Sequence, residues 1–152
     1  MNQILFIDIE TSRSLQILDV GAIYGGHELH EKSTVKLEKW LTDAKFICGH
    51  NILEHDVPIL QKKLGKEIFE SKVLLDTLLW SPILFATRPY HKLVKGYKLV
   101  NEEEYANPLS DCKLTGNLLR DELEAFHSLP EELKTIYFYL LKDHKSFNGF
   151  FQ

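Results

Sequence analysis

The chain has 152 residues, of which 44% are hydrophobic and 26% are charged, and its formal net charge is -4. This is the size and apolar content of one ordinary globular domain with a buried core. The acidic balance provides no general basic field for a nucleic acid, so a nucleic-acid enzyme of this composition needs a local basic groove or bound metal ions. No apolar run is long enough to cross a membrane, and the N-terminus has no secretion-signal pattern.

Two cysteines, Cys48 and Cys112, occur in the chain. Their spacing is not that of a metal site, and each lies in an apolar or helical segment. We therefore expect two reduced thiols that are buried or half-buried. Together with the absence of a secretion signal, this pattern is typical of a cytoplasmic protein, and we expect a cytoplasmic location with no membrane partner.

The pattern of apolar residues predicts strands first and then strands that alternate with helices. Apolar and alternating runs predict strands at 4–7, 15–24, 30–37, 46–48 and 73–75. Gly25 and Gly26 form the expected hairpin turn between the second and third. Helical spacing and end signals predict helices at 38–41, 54–64, 77–85, 91–97, 109–126 and 131–141, the last with a strong apolar face. This order indicates an α/β domain with a five-stranded mixed sheet flanked by helices.

Two acidic residues follow the first apolar run directly, in the segment Phe6-Ile7-Asp8-Ile9-Glu10-Thr11. Side chains alternate between the two faces of a strand, so Asp8 and Glu10 point the same way, roughly 6–7 Å apart. Two carboxylates at the end of a buried strand are costly unless a positive group lies between them. A divalent cation is the usual solution, and a solvated strand end is the alternative.

Two further acids stand at the start of expected helices. Asp56 lies just inside the helix that follows the run Gly49-His50-Asn51, and Asp111 lies in the first turn of the helix capped by Asn107. An acid in a first turn is commonly a surface residue that complements the helix dipole. Each residue alone is therefore open to that interpretation. His55, beside Asp56, is either its partner or a solvated helix histidine.

The three acidic segments together resemble the DEDD superfamily of 3′–5′ exonucleases, the DnaQ-like branch of the ribonuclease H fold. The resemblance covers about residues 3–125 and includes the Asp76-Thr77 step after a buried strand. It implies a ribonuclease H-like fold and a site of four carboxylates, Asp8, Glu10, Asp56 and Asp111. These would hold two Mg²⁺ or Mn²⁺ ions, with Asp8 between them, Glu10 and Asp111 at one and Asp56 mainly at the other.

The resemblance also implies a substrate site and a general base. Thr11, His50, Asn51 and Lys92 are the expected substrate-binding residues. The family usually has a histidine five residues before the last aspartate, or a tyrosine four residues before it, but this chain has Ala106 and Asn107 there. His91 is then the candidate base, with Tyr105 as a second choice. Each of these residues also has an ordinary structural interpretation. His91 is then a surface histidine, Tyr105 packs locally, Lys92 is simply solvated, and residues 50–51 form an ordinary turn.

A closer resemblance is to the exonuclease-like domain at the N-terminus of some bacterial RecQ-type helicases. It is carried by the His-Asn-Ile-x-x-His-Asp run, Tyr90-His91-Lys92-Leu93 and Asn107-Pro108-Leu109-x-Asp111. It implies a single domain over 1–152, cut from a longer protein with a covalently linked helicase. The segment 146–152, with three phenylalanines, either packs on the core or marks that cut.

These resemblances predict metal-dependent hydrolysis from the 3′ end of a nucleic acid, more on single-stranded or 3′-ended DNA than on RNA, with release of nucleoside monophosphates. Three alternatives stay open. The domain binds a nucleic acid or a helicase partner without cleavage, it trims short RNA as an oligoribonuclease does, or it is a scaffold that binds no metal.

Overall fold

A computed structural model describes residues 3–93 and 107–152 of the chain. The strands are β1 (Ile4–Thr11), β2 (Ile17–Tyr24), β3 (His27–Glu31), β4 (Phe46–Gly49) and β5 (Val73–Asp76). The helices in these residues are α1 (Val35–Asp43), α2 (Asp56–Leu64), α3 (Thr77–Leu84), α4 (Pro108–His127) and α5 (Glu131–Leu141). Short 3-10 helices lie at Glu67–Phe69 and Asn148–Phe151. None of the described helices is both long and apolar enough to span a bilayer.

The five strands form one mixed sheet in the order β3-β2-β1-β4-β5. The first three strands pair antiparallel, while β1–β4 and β4–β5 pair parallel. The turn between β2 and β3 consists of Gly25 and Gly26, with φ angles of 60° and 83°. A two-residue hairpin turn with two positive φ angles is the kind that glycine allows at no steric cost. The predicted α/β architecture with a five-stranded mixed sheet is therefore confirmed.

The alternation of β1 divides the core into two layers. Leu5, Ile7 and Ile9 face the larger apolar cluster, to which α1 and α2 contribute buried leucines. Phe6 faces the other layer and packs with Cys112 of α4. Asp8 and Glu10 have the same parity as Phe6, so their side chains emerge on the side of the sheet that α4 covers. Both cysteines are free and buried, as expected.

Several predicted element boundaries are wrong. The third strand was expected at 30–37 and a helix at 38–41, but β3 ends at Glu31 and α1 begins at Val35. The two-glycine turn starts β3 at once, because Tyr24 pairs directly with His27. Leu37 and Leu41, four residues apart, then bury one face of α1. The helix expected at 54–64 begins at Asp56.

The helix expected at 91–97 is not formed by the residues of that range that the structure describes. Residues 91–93 are not helical, and the rest of that range lies outside the described residues. The apolar face of α5 was expected to pack, yet the structure buries none of its residues, and Leu140 is 71% exposed. Apolar spacing predicts a helix but does not decide what covers it.

The C-terminal phenylalanines pack back on the domain around Trp80 of α3. Phe150 stacks on Trp80 with ring centroids 3.9 Å apart. Phe126, Phe147 and Phe151 meet the same indole edge-on at 5.4–6.1 Å. Such pairs add to the burial of the rings themselves. The first of the two interpretations of this segment, packing on the core, is thus confirmed.

Glu122 of α4 carries a buried carboxyl group and is 0% exposed. Neither of its oxygens has a hydrogen-bond partner among the residues that the structure describes. Burial raises the pKa of Glu122 to about 9, with the charge of Asp76 acting in the same direction and that of Arg88 against it. The side chain is therefore a neutral carboxylic acid at pH 7.

Candidate metal centre

Three carboxylates from two elements converge at the C-terminal end of β1. Asp8 and Glu10 of β1 and Asp111 of α4 each place one carboxylate oxygen within 4.8 Å of the others. The strand alternation sets the first two on one side. The start of α4 sets the third, because the Asn107 side chain accepts a hydrogen bond from the Ser110 amide at 3.0 Å and Pro108 occupies the first turn. The structure thus brings these three predicted residues together, and their role as metal ligands stays a prediction.

Close approach of α4 to the sheet depends on Gly21 of β2. Gly21 pairs with Asp8 across the strands. A Cβ atom at Gly21 would lie 2.2 Å from the backbone carbon of Pro108, which is far inside contact distance. The missing side chain thus lets the first turn of α4, and with it Asp111, rest directly on the strand beside Asp8.

Gly21→Ala is expected to destabilise the fold by about 2 kcal/mol, because backbone must move to admit the methyl group. Gly116→Ala on α4 is the matched control. Its Cβ would lie 3.7 Å from the Phe6 ring, an ordinary contact, and alanine favours the helix by up to about 1 kcal/mol. Denaturant unfolding of both variants measures the difference. Equal stability of the two would contradict the close approach of α4.

The donor set fits a hard divalent cation. Mg²⁺ and Mn²⁺ prefer carboxylate oxygens, and three such groups on rigid elements supply part of an octahedral site. Their negative charge also reaches the neighbouring thiol. Burial raises the pKa of Cys112 well above its usual value, and the charges of Asp8, Asp56 and Asp111 raise it further. Three anions this close repel one another unless a cation or a proton offsets them.

Asp56 lies beside this group rather than within it. Its carboxylate accepts a hydrogen bond from the Ile9 amide at 2.9 Å, so it is fixed to the backbone between Asp8 and Glu10. The residue is 2% exposed, and burial raises its pKa. The expected position at the start of α2 is confirmed. Its role as a ligand of a second ion stays a prediction.

His55 is a site residue that the sequence left undecided. Its Nδ1 lies 3.6 Å from the Asp56 carboxylate. The contact with the Asp56 carboxylate raises the pKa of His55, and the charges of Asp56, Asp8 and Glu10 act in the same direction. Adjacency to Asp56 at a helix start was the available signal. The geometry favours the partner of Asp56 over the solvated histidine.

The turn that carries His50 and Asn51 is held by Asp76. The Asp76 carboxylate accepts hydrogen bonds from the amides of Asn51 at 2.8 Å and Leu53 at 3.1 Å, and it caps α3 through the Leu78 amide at 3.0 Å. Asn51 has a φ of 65°, in the left-handed region that asparagine tolerates. The side chain of Asp76 is 2% exposed, so these bonds are shielded from water.

Asp76→Asn is expected to lower the free energy of unfolding by about 2 kcal/mol, because an amide nitrogen replaces one acceptor of a buried backbone amide. The turn at His50 and Asn51 should loosen with it, since two of the three bonds hold that turn. Denaturant unfolding checks the stability, and amide hydrogen exchange at 50–53 checks the turn. Unchanged exchange would contradict the role of Asp76. Asp43→Asn, at the exposed end of α1, is the control.

Two histidines are anchored on α3. His50 Nδ1 lies 2.9 Å from the Thr77 hydroxyl, and His91 Nδ1 lies 2.9 Å from the Ser81 hydroxyl. Burial lowers the pKa of His50, while the charges of Asp76 and Asp111 oppose that shift. The backbone and ring of His91, the candidate base, also act on the pKa of His50, so the two residues are neighbours.

The other expected substrate residues are less closely placed. Lys92 is exposed, and Thr11 ends β1 after a register shift next to Glu10. Tyr105 and Ala106 lie outside the described residues. Asn107 is engaged as the cap of α4.

Neither Asp19 nor His30 was predicted from the sequence to lie near the carboxylate group. Asp19 pairs with Glu10 across the strands, and its carboxylate lies 2.7 Å from His30 Nε2. The strand register that brings Asp19 and His30 together follows from the two-glycine hairpin, which was the signal available in the sequence.

No protein-family model matches the chain, and no curated protein does so either.

Proposed function

We propose that this chain is a divalent-metal-dependent 3′–5′ exonuclease with a ribonuclease H-like, DnaQ-like fold. It acts on nucleic acid, DNA more than RNA, and releases nucleoside monophosphates. The observation that carries the proposal is the group of Asp8, Glu10 and Asp111, with oxygens within 4.8 Å of one another. The five-stranded mixed sheet flanked by helices is compatible with that fold.

The proposed reaction is hydrolysis of the last phosphodiester. The oxygen of a water bonds to phosphorus, the bond from phosphorus to the 3′ oxygen of the preceding nucleotide breaks, and that oxygen takes up a proton. Bound Mg²⁺ or Mn²⁺ would supply a more acidic water and offset charge on the phosphate oxygens. Asp8, Glu10 and Asp111 would hold the metal, with Asp56 the proposed ligand of a second ion.

The remaining residues of the site would orient substrate and move protons. His91 is the proposed base that takes the proton from the attacking water. His50, Asn51, Thr11 and Lys92 are proposed to contact the terminal nucleotides. A metal-filled site also reconciles a net charge of -4 with a polyanionic substrate, because the cations offset the carboxylates at the point of contact.

A second candidate function is binding without cleavage, as a docking module for nucleic acid or for a linked helicase. Asn107 favours it, because this residue stands where the family places a tyrosine base and its side chain is bonded to the Ser110 amide. Loss of a general base typically costs about 10²–10⁴-fold in rate. A weakened enzyme would still cleave slowly, whereas a pure binding module would not cleave at all, so an activity assay distinguishes the two.

The test is incubation of the protein with a 5′-labelled single-stranded DNA oligonucleotide in Mg²⁺, Mn²⁺ or EDTA. The proposal expects a ladder of products shortened from the 3′ end that requires metal. The same oligonucleotide with nuclease-resistant linkages at its 3′ end is the control for polarity and should stay intact. Short RNA oligonucleotides in parallel distinguish a trimmer of short RNA. Binding without any ladder in either metal would overturn the exonuclease and leave the docking module.

A further inference from the structure

A groove lies along one side of α4, between that helix and the hairpin formed by β2 and β3. Its volume is about 310 Å³, and its lining includes Phe6 of β1, Ile23 of β2, the turn at 25–26 and Cys112 of α4. Phe6 and Cys112 are buried, so the deepest part of this α4 groove is apolar. Cavities of about 300–1,000 Å³ are the usual size of sites that bind small organic groups, and the α4 groove is at the lower end of that range.

Three polar residues of α4 form the exposed rim of the groove. Lys113, Asn117 and Arg120 all line it, and all three are exposed. They are spaced by four and then three residues, so they share one face of the helix. At 1.5 Å per residue the rim extends over about 10 Å.

The rim presents hydrogen-bond donors. The guanidinium group has N–H donors and no acceptor, and Arg120 Nη1 donates to Asn117 Oδ1 at 3.3 Å. This contact uses the amide oxygen of Asn117 and turns its amide nitrogen toward other partners. The Lys113 ammonium lies 2.9 Å from the Glu28 carboxylate in an exposed ion pair, which contributes little stability, so another anion can replace Glu28. In a chain with a net charge of -4, this row of donors suits an anion with several acceptor oxygens, such as a phosphate.

Gly116 keeps the groove open in the middle of α4. Glycine destabilises a helix interior relative to alanine, so a packing reason for it is expected. Here packing does not require glycine, because an added Cβ would lie 3.7 Å from the Phe6 ring, which is an ordinary contact. Gly116 also lines the groove, so a large side chain at this position would extend over Phe6 and fill the space.

We propose that the α4 groove binds a segment of single-stranded nucleic acid, with phosphates on Lys113, Asn117 and Arg120 and a sugar or base over the apolar floor. Lysine, arginine and asparagine side chains are common phosphate contacts, and grooves for single strands combine positive charge with a surface for the bases. The inference rests on the proposed function for the class of its ligand.

The α4 groove is separate from the carboxylate group. Asp111 and Lys113 are two residues apart, so their side chains leave the helix about 200° apart. Ile4 and Phe6 lie in the groove, toward the start of β1, whereas Asp8 and Glu10 lie toward its end. Binding in the groove should therefore need no metal ion.

The test is fluorescence anisotropy of a labelled oligothymidylate in EDTA, over a series of NaCl concentrations. Each phosphate contact with a cation adds about 0.7 to the slope of log K against log salt for a single strand. The double variant Lys113→Gln, Arg120→Gln should therefore lower that slope by about 1.4 and weaken binding at low salt by about 10-fold or more. The double variant Lys62→Gln, Lys63→Gln, at the end of α2, removes the same charge and should keep the wild-type slope.

Gly116→Leu tests the groove without a change of charge. It should weaken binding several-fold and leave the salt slope unchanged, because it fills the space over Phe6. Denaturant unfolding checks that this variant is folded, and the charge variants, which alter exposed side chains, stand independently of it. Equal slopes in the two double variants, or wild-type affinity in folded Gly116→Leu, would overturn the inference.

Competition distinguishes a strand from a free nucleotide, since both carry phosphate. Unlabelled oligothymidylate should displace the labelled strand at a far lower concentration of nucleotide units than thymidine monophosphate or inorganic phosphate does. Equal competition by thymidine monophosphate would overturn the strand and leave a mononucleotide site.

Failure of this inference differs from failure of the exonuclease. A metal-dependent ladder together with equal slopes in the two double variants keeps the exonuclease and removes the groove as a strand site. Groove-dependent binding in EDTA without any ladder in Mg²⁺ or Mn²⁺ removes the exonuclease and supports the groove.

Discussion

Asp8→Asn is expected to lower metal-dependent hydrolysis by about 10³-fold or more while leaving the fold intact, because several kcal/mol of charge stabilisation depend on a correctly held ion. Asparagine keeps the shape of aspartate and removes its charge. Asp8 is the member of the carboxylate group that pairs with Gly21 beneath the start of α4, and it is the residue proposed to lie between two ions.

The same change should act on stability chiefly when metal is present. In EDTA, Asp8→Asn keeps the shape of the side chain, so the variant should unfold close to the temperature of the wild type. In Mn²⁺ the wild type should gain stability in proportion to metal binding, and the variant should gain little. Thermal unfolding in EDTA and across a Mn²⁺ titration measures both effects.

Asp43→Asn is the matched control, since it removes one carboxylate from the exposed end of α1. It should neither change hydrolysis nor abolish the stabilisation by Mn²⁺. Full activity of Asp8→Asn in Mg²⁺ would place the active site elsewhere. A Mn²⁺ response that survives in Asp8→Asn would show that the metal binds at another position.

Glu122→Gln is expected to raise the free energy of unfolding at pH 8 by about 3–4 kcal/mol and to leave it nearly unchanged at pH 5. The Glu122 pKa is about 9 in the folded protein, against an ordinary value of 4.5 for an exposed glutamate. The folded state therefore keeps a proton that the unfolded chain releases above about pH 4.5. Stability then falls as pH rises through this window, by at most about 1.4 kcal/mol per pH unit.

Glutamine mimics the protonated side chain, so the variant should lack this part of the pH dependence. The charged groups around Glu122 are Asp76 of β5, Arg88 after α3 and Asp121 on its own helix, and the Cys48 thiol faces it from β4. All stay in place, so the difference between wild type and variant isolates Glu122. Denaturant unfolding at pH 5, 6, 7 and 8 measures it. Glu124→Gln, exposed on the same helix, is the control. Parallel pH curves for wild type and Glu122→Gln would contradict the buried proton.

Local patterns were enough to predict the individual pieces of the site. Strand alternation placed Asp8 and Glu10 together, and the Asn107-Pro108 cap placed Asp111 in the first turn of a helix. What brings them within reach is the packing of α4 on Gly21, which is a tertiary contact. A glycine inside a strand signals a close approach, but the sequence does not say which element approaches.

The errors have the same origin. The alternating run at 30–37 suits a strand by itself, yet the two-glycine turn and the packing of Leu37 and Leu41 decide otherwise. The pairing of His30 with Asp19 needs the strand register, so neither residue stood out. Glu122 looked like any charged residue of a long helix. Its spacing from Thr115 and Leu119, both buried on α4, was the one hint that it faces inward.

Gly21 controls one distance within the carboxylate group. The distance between the carboxylates of β1 and that of α4 is set by how near a helix can lie to a strand, and here the spacer is a single hydrogen atom. Ion size preferences are fractions of an ångström, since Mg²⁺ binds oxygen at about 2.0–2.1 Å and Ca²⁺ at about 2.3–2.6 Å. A residue that touches no ligand would therefore tune which cation the proposed site selects.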